Sequence, residues 1–347
     1  VSKTNNKQIL IFIQNNIAVT QQKQIIKITT QNHLHCYILN SLTVFENTRR
    51  HLNMTSSPPR LLVIYNPAAG PSRSRRFQLT LARLRRRGCR INIKETNRRG
   101  DAEEIAGKSN LDDIDIVVAA GGDGTINEVI NGLVGRGCPL ALIPLGTANV
   151  LAAEIGLSTH PDAVAGAIAA GVATPICLGR ANGRWFSMMS GIGFDAHVVE
   201  AVSPALKRLF GKGAYAFESL IEITRYQPDM FEADIDGKRY RAASMIVANG
   251  HFYAGRYVAA PAANLRDPDL HACLLTRASR WQCVRYALAL MLGKLHGLSD
   301  VRIVRAKRID LIAPAGEPVQ CDGDIIGVLP MSVTITENLL EIVYPAA

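Results

Sequence analysis

Short apolar runs alternate with amphipathic stretches between residues 60 and 170. The apolar runs predict buried strands at 61–65, 91–94, 114–120 and 140–143. The stretches between and after them predict helices at 74–87, 102–109, 124–133, 147–156 and 161–170. Strands that alternate with helices are typical of βαβ units, so this part of the chain predicts an α/β domain with a mostly parallel sheet.

The pattern changes near Pro175. Two apolar segments, 231–235 and 239–247, flank Asp236-Gly237 and predict a β-hairpin. Further strands are predicted at 272–276, 301–304, 308–312, 318–321, 332–335 and 339–343, with helices at 198–226 and 281–295. We expect a Rossmann-like, nucleotide-type α/β domain over 58–177 and a β-rich domain over 178–330, with the functional site in the cleft between them.

Residues 1–53 differ from the rest of the chain. They contain eight Asn, six Gln and eight Ile, whereas all 28 Gly and 16 Pro lie at residue 58 or beyond. A signal peptide is one interpretation, but the apolar run Ile9–Ile13 is shorter than the roughly 7–15 residues that a signal peptide needs. We favour a disordered or non-native leader over 1–57, with Met54 as the native start, and expect its removal to leave folding unchanged.

The composition sets limits on the class of protein. Of 347 residues, 48% are hydrophobic and 20% charged, which allows a sizeable core and excludes wholesale disorder. No stretch reaches the roughly 18 apolar residues of a membrane-spanning helix. The seven cysteines are scattered without a CxxC pair, which favours a reducing, cytoplasmic setting. The net charge of +10 is uneven, because residues 58–94 carry ten basic residues and no acidic one, and this clustering does not indicate nucleic-acid binding.

A glycine-rich loop, Gly121-Gly122-Asp123-Gly124-Thr125, follows the third predicted strand. Its glycines let the backbone approach a phosphate, and the start of the next helix offers free N–H groups. We expect Asp123 to lie in an exposed loop, where its carboxylate can hold Mg²⁺ or orient a hydroxyl. The loop is neither a Walker A sequence, since no Gly-Lys-Ser/Thr follows, nor a GxGxxG loop.

Two further loops follow strands one and four. They are Asn66-Pro67-Ala68-Ala69-Gly70 and Gly146-Thr147-Ala148-Asn149. Ligands of open α/β sheets bind outside the carboxyl ends of the strands, and all three loops fall at that edge. Together they predict one phosphate-binding rim, although each outer loop alone also fits an ordinary turn.

With these loops the chain resembles the diacylglycerol kinase catalytic-domain family, and within it the bacterial YegS-like lipid kinases, which are related to sphingosine kinases. The resemblance runs from about Arg60 to the C-terminus and rests on six motifs in order, at 66–70, 121–129, 144–149, 191–196, 247–250 and 322–324. It implies an ATP-binding first domain like that of NAD kinase and phosphofructokinase, a β-sandwich-type lipid-substrate domain, and a C-terminal segment, 331–347, that returns to the first domain.

The resemblance also implies roles by position. ATP binding is implied for Asn66, Pro67, Ala68, Ala69, Gly70, Thr96, Gly121, Gly122, Asp123, Gly124, Thr125, Ile126, Asn127 and Thr147. Asp322 and Asp324 occupy the acidic positions of the motif that supplies the general base, and Asp123 is the third catalytic carboxylate. A structural Mg²⁺ is implied at Asp267, with Asn264 and Asp269 nearby. Phosphoryl transfer itself needs a phosphate cradle, Mg²⁺ and a carboxylate that receives the acceptor's proton.

The chain departs from the family pattern at five positions. Ala69 stands in place of a serine, Val150 in place of an aspartate, and Arg256 in place of a glycine. Asp324 is one methylene shorter than the usual glutamate. Pro268 interrupts the metal-loop motif, which leaves the second metal site open.

Three other features each have two interpretations. Asp195, in Gly191-Ile192-Gly193-Phe194-Asp195, is either a contact to the substrate headgroup or a turn aspartate. The arginine run at 83–90 is either a solvated helix face or a footprint on anionic lipid. The stretch 281–298 is either an interfacial helix or a core helix, and we favour the core.

The hypothesis we favour is an ATP- and Mg²⁺-dependent lipid kinase that acts on diacylglycerol or a sphingoid-type alcohol. It would serve phospholipid synthesis at the cytoplasmic, inner face of the membrane without spanning it. The expected partners are the lipid and an anionic membrane surface, with no nucleic acid, and a homodimer stays open. One alternative is an NAD kinase, which also carries a GGDG loop, although Ile126–Val129 favours the lipid branch. The other is a catalytically silent nucleotide- or lipid-binding regulator.

Overall fold

The computed structural model describes residues 58–69, 71–201, 229–313 and 316–345. The first part alternates strands and helices. Its strands are β1 (Arg60–Tyr65), β2 (Arg90–Glu95), β3 (Ile116–Gly121), β4 (Leu140–Pro144) and β5 (Ala173–Ala181). Its helices are α1 (Pro71–Arg86), α2 (Asp101–Lys108), α3 (Asp123–Leu133), α4 (Val150–Glu154) and α5 (Pro161–Ala170), and a 3-10 turn, Pro67–Ala69, precedes α1. The predicted elements before residue 171 are therefore confirmed, with bounds that shift by up to three residues.

The second part is mostly β. Its strands are β6 (Arg184–Phe186), β7 (Met189–Ile192), β8 (Phe231–Ile235), β9 (Lys238–Ala242), β10 (Ser244–Ala248), β11 (Phe252–Tyr253), β12 (Tyr257–Val258), β13 (Leu270–Leu275), β14 (Val301–Ala306), β15 (Arg308–Ala313), β16 (Pro318–Cys321), β17 (Asp324–Val328) and β18 (Met331–Val343). Its helices are α6 (Phe194–Ala201) and α7 (Arg280–Met291), and Leu295–Gly297 forms a 3-10 turn. The domain boundary predicted at residue 178 falls inside β5, and the strand continues across it.

The parallel strands lie side by side in the order β2, β1, β3, β4. Leu62 of β1 faces Asn92 of β2 on one side and Val117 of β3 on the other. Strands β3 and β4 are buried along their whole length, as expected for a parallel sheet covered on both faces. Because the chain turns from β1 to β2 on one side and reaches β3 on the other, the strand order switches between β1 and β3. Open α/β sheets bind ligands beside such a switch point.

Strand β18 joins the two parts of the chain in one sheet. Ile342, near its end, pairs in parallel with Leu140 of β4, and its first residues pair antiparallel with β15. Strand β5 runs antiparallel along its other edge, with a register shift between Thr336 and Leu340. This single strand of 13 residues replaces the two strands predicted after residue 331, because a bulge interrupts the alternation of side chains without ending the strand.

A second, antiparallel sheet has the order β14, β13, β10, β7, β16, β17. It packs against β8, β15 and the start of β18 through a shared apolar core that includes Phe186, Phe231, Val247, Leu274 and Val333. Two sheets that bury their inner faces against each other form a sandwich. The predicted fold class, an α/β domain with parallel strands and a β-sandwich-type second domain, is therefore confirmed.

Two elements of the second part differ from the prediction. The hairpin turn at Asp236 and Gly237 is confirmed, and both residues have the positive φ that such a turn requires. The strand predicted after it at 239–247 is wrong, because Ala243 separates β9 in the large sheet from β10 in the antiparallel sheet. The helix predicted at 198–226 begins earlier, at Phe194, and residues 202–228 lie outside the described part of the chain.

Helix α7 occupies the stretch for which a core helix was favoured. The Ser279 hydroxyl caps it by accepting a hydrogen bond from the Gln282 N–H, at 3.1 Å. Its buried residues are Tyr286 and Ala289, Leu290 is half-buried, and Trp281, Leu288 and Met291 are exposed. The helix therefore packs against the protein on one face only, so it is a core helix in part. In the described ranges, no helix is long and apolar enough to cross a membrane. Residues 1–57 lie outside these ranges, so the leader stays a prediction.

Candidate active site

The loop after β1 is tied to the loop after β3. The Asn66 side-chain amide donates to Thr125 Oγ1 at 3.0 Å, and the Asn66 Oδ1 accepts from the Ala68 N–H at 3.0 Å. The Asn66 N–H donates to the Ala120 carbonyl at 2.9 Å. Pro67 and Ala69 belong to the 3-10 turn that follows, and Gly70 lies outside the described residues. These bonds hold two of the predicted phosphate loops on either side of the β1–β3 switch point.

The loops after β3 and β4 touch through their glycines. A Cβ on Gly146 would lie 2.7 Å from the Cα of Gly122, and a Cβ on Gly121 would lie 2.5 Å from the Thr125 Cβ. Glycine is therefore required at 146 by contact between the two loops, and at 121 by the Thr125 side chain of the following helix. Gly124, in the first turn of α3, is different, because no atom lies within 4 Å of the Cβ that it lacks. The open space beside Gly124, at a helix N-terminus, is where an anion can approach the backbone.

Asp123 holds the same two loops together. As the first residue of α3 it is partly buried, and its carboxylate accepts from the Val150 N–H at 2.6 Å and the Asn149 N–H at 3.0 Å. The expectation of an exposed loop aspartate is therefore wrong: the carboxylate meets the first N–H groups of α4, where a negative charge is stabilised. Asn149 completes the turn, since its Oδ1 accepts from the Gly146 N–H at 2.7 Å.

An arginine that the sequence analysis did not single out joins the rim. Arg73, near the start of α1, donates through Nη2 to Thr147 Oγ1 at 2.8 Å. Arg76, one turn later, donates to the Pro144 carbonyl at 3.4 Å. The other predicted ATP contacts, Thr96 at the end of β2 and Ile126 in α3, are buried. A positive charge beside Thr147 adds an anion-binding group to the backbone N–H groups of the glycine loops.

A second group of residues faces these loops from the mostly β second part of the chain, which begins at β6 and is called the β lobe; the first part is called the α/β lobe. The Asp322 carboxylate accepts from the N–H groups of Ser187, Met188 and Met189 at 2.7, 3.0 and 2.9 Å, from the Ser187 hydroxyl at 3.1 Å, and from the Asn127 amide at 3.1 Å. Burial raises the pKa of Asp322, and the hydrogen bonds from Met189, Ser187 and Met188 oppose that rise. Five donors occupy the acceptor positions of this carboxylate, so Asp322 links α3 to the β lobe.

Asp324 lies two residues further on and is more accessible. Its Oδ1 forms an ion pair with Arg99 Nη2 at 2.8 Å, and 32% of the side chain is exposed. Arg99 precedes α2, so this pair crosses from one lobe to the other. Arg184 of β6 and Glu103 of α2 form a second such pair, at 2.6 Å.

A third connection between the lobes was missed by the sequence analysis. Glu154, in α4, is buried with 5% of its side chain exposed, and its Oε1 accepts from His251 Nδ1 at 2.8 Å. The Phe252 N–H donates to its other oxygen at 3.1 Å. Gly250 allows this approach, since a Cβ there would lie 3.0 Å from the Glu154 Cδ. His251 is isolated in the sequence, and only the fold brings it to a carboxylate 97 residues away.

Asp195, in the first turn of α6, is hydrogen-bonded to two polar side chains of the β lobe, and we call these three residues the Asp195 cluster. Its Oδ2 accepts from Gln320 Nε2 at 2.7 Å, and its Oδ1 accepts from the Tyr253 hydroxyl. Gly191 is required beside it, because a Cβ there would lie 1.8 Å from the carboxylate. Burial raises the pKa of Asp195 to about 6, and the hydrogen bond from Gln320 opposes the rise.

The predicted metal loop does not fit a metal ion. Lys307 and Arg305 both pair with the Asp269 carboxylate, Lys307 at 3.3 Å, and the Lys307 ammonium also donates to the Pro268 carbonyl. The Asn264 Oδ1 accepts from the Arg266 N–H at 3.0 Å. The Asp269 carboxylate is therefore paired with two cations, and the described part of the chain holds no cluster of three His, Cys, Asp or Glu side chains suited to a metal. A lysine ammonium meets the oxygens that a divalent cation would need.

Two family descriptions match this chain. Residues 60–181 match the diacylglycerol kinase catalytic domain, and residues 188–344 match the YegS C-terminal NAD kinase beta sandwich-like domain. With this pair of domains in this order, the chain belongs to the diacylglycerol kinase and YegS-like lipid kinase family.

Individual relatives extend over most of the chain. A diacylglycerol kinase of Bacillus subtilis is 28% identical over 82% of this chain and 96% of its own length. A probable lipid kinase YegS-like protein of Pseudomonas aeruginosa is 29% identical over 82% of this chain and 94% of its own length. The structure of a putative diacylglycerol kinase from Bacillus anthracis superposes with a TM-score of 0.68 over 84% of this chain and 98% of its own, at 22% identity, which supports the fold.

The first prediction concerns the metal loop. Thermal unfolding of the protein without nucleotide should give the same Tm in EDTA and in millimolar Mg²⁺, because Lys307 and Arg305 already neutralise Asp269. Asp267→Asn, beside these residues, should shift stability by less than about 0.5 kcal/mol. A Tm that falls in EDTA and returns with Mg²⁺ would contradict this prediction.

The second prediction concerns Asp195. Because its pKa rises from 3.8 to about 6 in the folded protein, the folded state holds a proton that the unfolded chain releases. The contribution of Asp195 to the free energy of unfolding should therefore decrease as the pH rises from 4 through 6. Denaturant titrations at several pH values should show a smaller decrease in Asp195→Asn. The exposed Asp112→Asn is the matched control, and an identical pH profile for Asp195→Asn and wild type would show that Asp195 is not the group responsible.

Proposed function

We propose that this protein transfers the γ-phosphoryl group of ATP to the hydroxyl of a membrane lipid, either diacylglycerol or a sphingoid-type alcohol. The observation that carries the proposal is the convergence of three loops at the β1–β3 switch point, opposite the Asp322–Asp324 turn of the β lobe. Phosphoryl transfer depends on positioning and on charge stabilisation, which such a rim and a facing carboxylate can supply. Family membership and the names of the relatives also support a lipid kinase.

The ATP phosphates are assigned to the loops of the α/β lobe. The open N-terminus of α3 at Gly124 offers backbone N–H groups, and Arg73 offers a positive charge beside Thr147. The Asp123 carboxylate serves to keep the loops together. Because no metal cluster is formed by the described residues, we assign Mg²⁺ to the nucleotide phosphates, where it would neutralise charge on the transferred group.

The two carboxylates of the facing turn are assigned different roles. In the transfer, the acceptor oxygen bonds to the γ-phosphorus, the bond to the β–γ bridging oxygen breaks, and ADP leaves. The acceptor's proton needs a base, and Asp324 suits this because it is partly exposed to the cleft. Asp322, with five donors, is a positioning residue that holds the turn carrying Asp324.

The lipid is assigned to the β lobe. The Asp195 cluster, which contains Tyr253 and Gln320, is assigned to a headgroup hydroxyl because it offers polar side chains within the β lobe. Contact with an anionic inner membrane surface is assigned in part to α1. Arg83 and Arg87 there pair with Asp162, at 3.5 and 3.3 Å, and Arg85 and Arg86 are exposed. The described cysteines are free thiols, in keeping with the cytoplasmic setting proposed from the sequence.

The third prediction tests the reaction itself. The protein with Mg²⁺ and γ-labelled ATP should phosphorylate diacylglycerol or a sphingoid-type alcohol in a panel of detergent-dispersed lipids, with mass spectrometry to identify the product. Parallel reactions with NAD test the NAD kinase alternative. Nucleotide or lipid binding without any transfer would favour a catalytically silent regulator. The structural reason to consider one is that hydrogen-bond donors already surround the Asp322 carboxylate.

The fourth prediction separates the roles of Asp322 and Asp324. Asp322→Asn puts an amide N–H among five donors, so it should cost about 3 kcal/mol of unfolding free energy. Asp324→Asn loses one partly exposed ion pair and should change stability by less than about 1 kcal/mol. Its kcat should fall at least about a hundredfold if Asp324 is the base.

The control for this pair is Arg99→Gln, which breaks the ion pair but leaves the Asp324 carboxylate. It should lower kcat less than Asp324→Asn does. Equal stability of Asp322→Asn and wild type, or near-normal turnover of Asp324→Asn, would refute the assignment.

A further inference from the structure

Helix α7 presents an apolar stripe to solvent. We define the α7 stripe as Trp281, Leu288, Met291 and Leu292, whose exposed fractions are 79%, 54%, 59% and 69%. At 3.6 residues per turn these four positions fall within about 100° of one another around the helix. The buried Tyr286 and Ala289 lie outside this sector. Leu288, Met291 and Leu292 are neighbours at the end of the helix, and Trp281 lies about two turns earlier on the same side.

This clustering is unusual for the described part of the chain. It contains nine exposed large apolar side chains, and four of them belong to the α7 stripe. A fifth, Tyr257, lies on β12, against which α7 packs. Single exposed apolar residues need no explanation, but a contiguous group of this kind indicates a binding surface.

The charges around the stripe favour an anionic lipid surface. Between Asp269 and Asp300 the chain carries no acidic residue and four arginines or lysines, Arg277, Arg280, Arg285 and Lys294. Arg277 and Arg285 form ion pairs with Asp300, so the charge assigned to the lipid is that of Arg280 and Lys294. Arg280 and Lys294 lie at the two ends of the helix. An apolar stripe with a tryptophan and basic ends is typical of a helix that lies in a membrane interface. Two copies of the stripe packed antiparallel would bring Arg280 of one copy near Lys294 of the other, so charge repulsion disfavours self-association.

The stripe also lies close to the residues to which the lipid headgroup is assigned above. Strand β12 pairs with β11, and Tyr257 of β12 is directly opposite Tyr253 of β11. The Tyr253 hydroxyl contacts the Asp195 carboxylate. A bilayer surface on α7 would therefore lie one strand pair away from the proposed headgroup site.

We propose that the α7 stripe inserts into the interfacial region of an anionic bilayer and docks the β lobe on the membrane that supplies the lipid. The choice of a bilayer as the occupant rests on the proposed lipid kinase function. Apolar burial contributes most of the binding, with Arg280 and Lys294 at the lipid phosphates. Because insertion is apolar, it should persist at salt concentrations that weaken contact through the arginines of α1.

The test uses the full chain and vesicles of phosphatidylglycerol and phosphatidylcholine without diacylglycerol. The chain has two tryptophans, so Trp185→Phe leaves Trp281 as the single reporter. Its emission should shift to shorter wavelength on binding and be quenched by lipids brominated in the acyl chain. The stripe variant, Trp281→Ser with Leu288→Ser and Leu292→Ser, should bind vesicles at least about tenfold more weakly in flotation assays.

A matched control changes exposed apolar residues away from α7. Leu79→Ser with Val172→Ser and Val328→Ser removes three such side chains and should bind as wild type does. Arg85→Glu with Arg86→Glu should weaken binding at low salt but leave the fluorescence shift of bound protein unchanged. Equal Tm values for all variants would show that folding is not the cause.

Three results would overturn the proposal. The first is unchanged Trp281 emission in vesicle-bound protein, and the second is wild-type binding by the stripe variant. The third is a wild-type protein that does not bind vesicles and forms a dimer that the stripe substitutions dissociate. Transfer to detergent-dispersed diacylglycerol is measured separately. The stripe variant should retain this transfer activity. Failure of the docking proposal would appear as a wild-type protein that transfers phosphate without inserting Trp281. Failure of the proposed function would appear as a wild-type protein that inserts Trp281 but shows no transfer.

Discussion

The Asp322 carboxylate is the interaction on which the arrangement of the cleft depends. Three successive backbone N–H groups, from Ser187 to Met189, point at it from the turn between β6 and β7. The Asn127 amide reaches it from α3, the helix that begins in the glycine loop. One carboxylate therefore fixes the connection between β6 and β7 relative to the helix that follows the glycine loop. A buried carboxylate is costly unless donors surround it, and here they do.

Much of the fold follows from the pattern of apolar residues. The α/β part has strong local signals, because each strand is a short apolar run and each helix repeats at a helical period. The β part was harder, since a strand can leave one sheet and enter another without a change of pattern. Ala243 marks such a passage between β9 and β10. The bulge near Thr336 likewise interrupts the alternation of apolar and polar side chains without ending β18. These features depend on partners that are distant in sequence.

The site divides in a similar way. Loops at strand ends were found because glycine and asparagine are strong local signals, and the sheet brings Asn66, Thr125 and Gly146 together. Arg73, Glu154 and His251 were missed because an arginine on a basic helix and a lone histidine carry no local sign of a partner. The α7 stripe was predicted only in part for a related reason: a helical apolar period shows that a helix has one apolar face, and only the packing decides whether that face meets the core or another surface.

The contacts that cross the cleft differ in strength, so some of them fix the two lobes and others can be displaced. Asp322 and Glu154 are well shielded from water, and removing a partner from either would leave a buried charge, which costs several kcal/mol. The Arg99–Asp324 pair is unlike them, since 74% of Arg99 is exposed, and such pairs contribute about 1 kcal/mol or less. The two shielded carboxylates therefore hold the lobes at a set distance, while Asp324 is held only weakly. The proposed role of Asp324 as the base requires that it exchange partners during the reaction, and its exposed ion pair with Arg99 can be displaced at low cost.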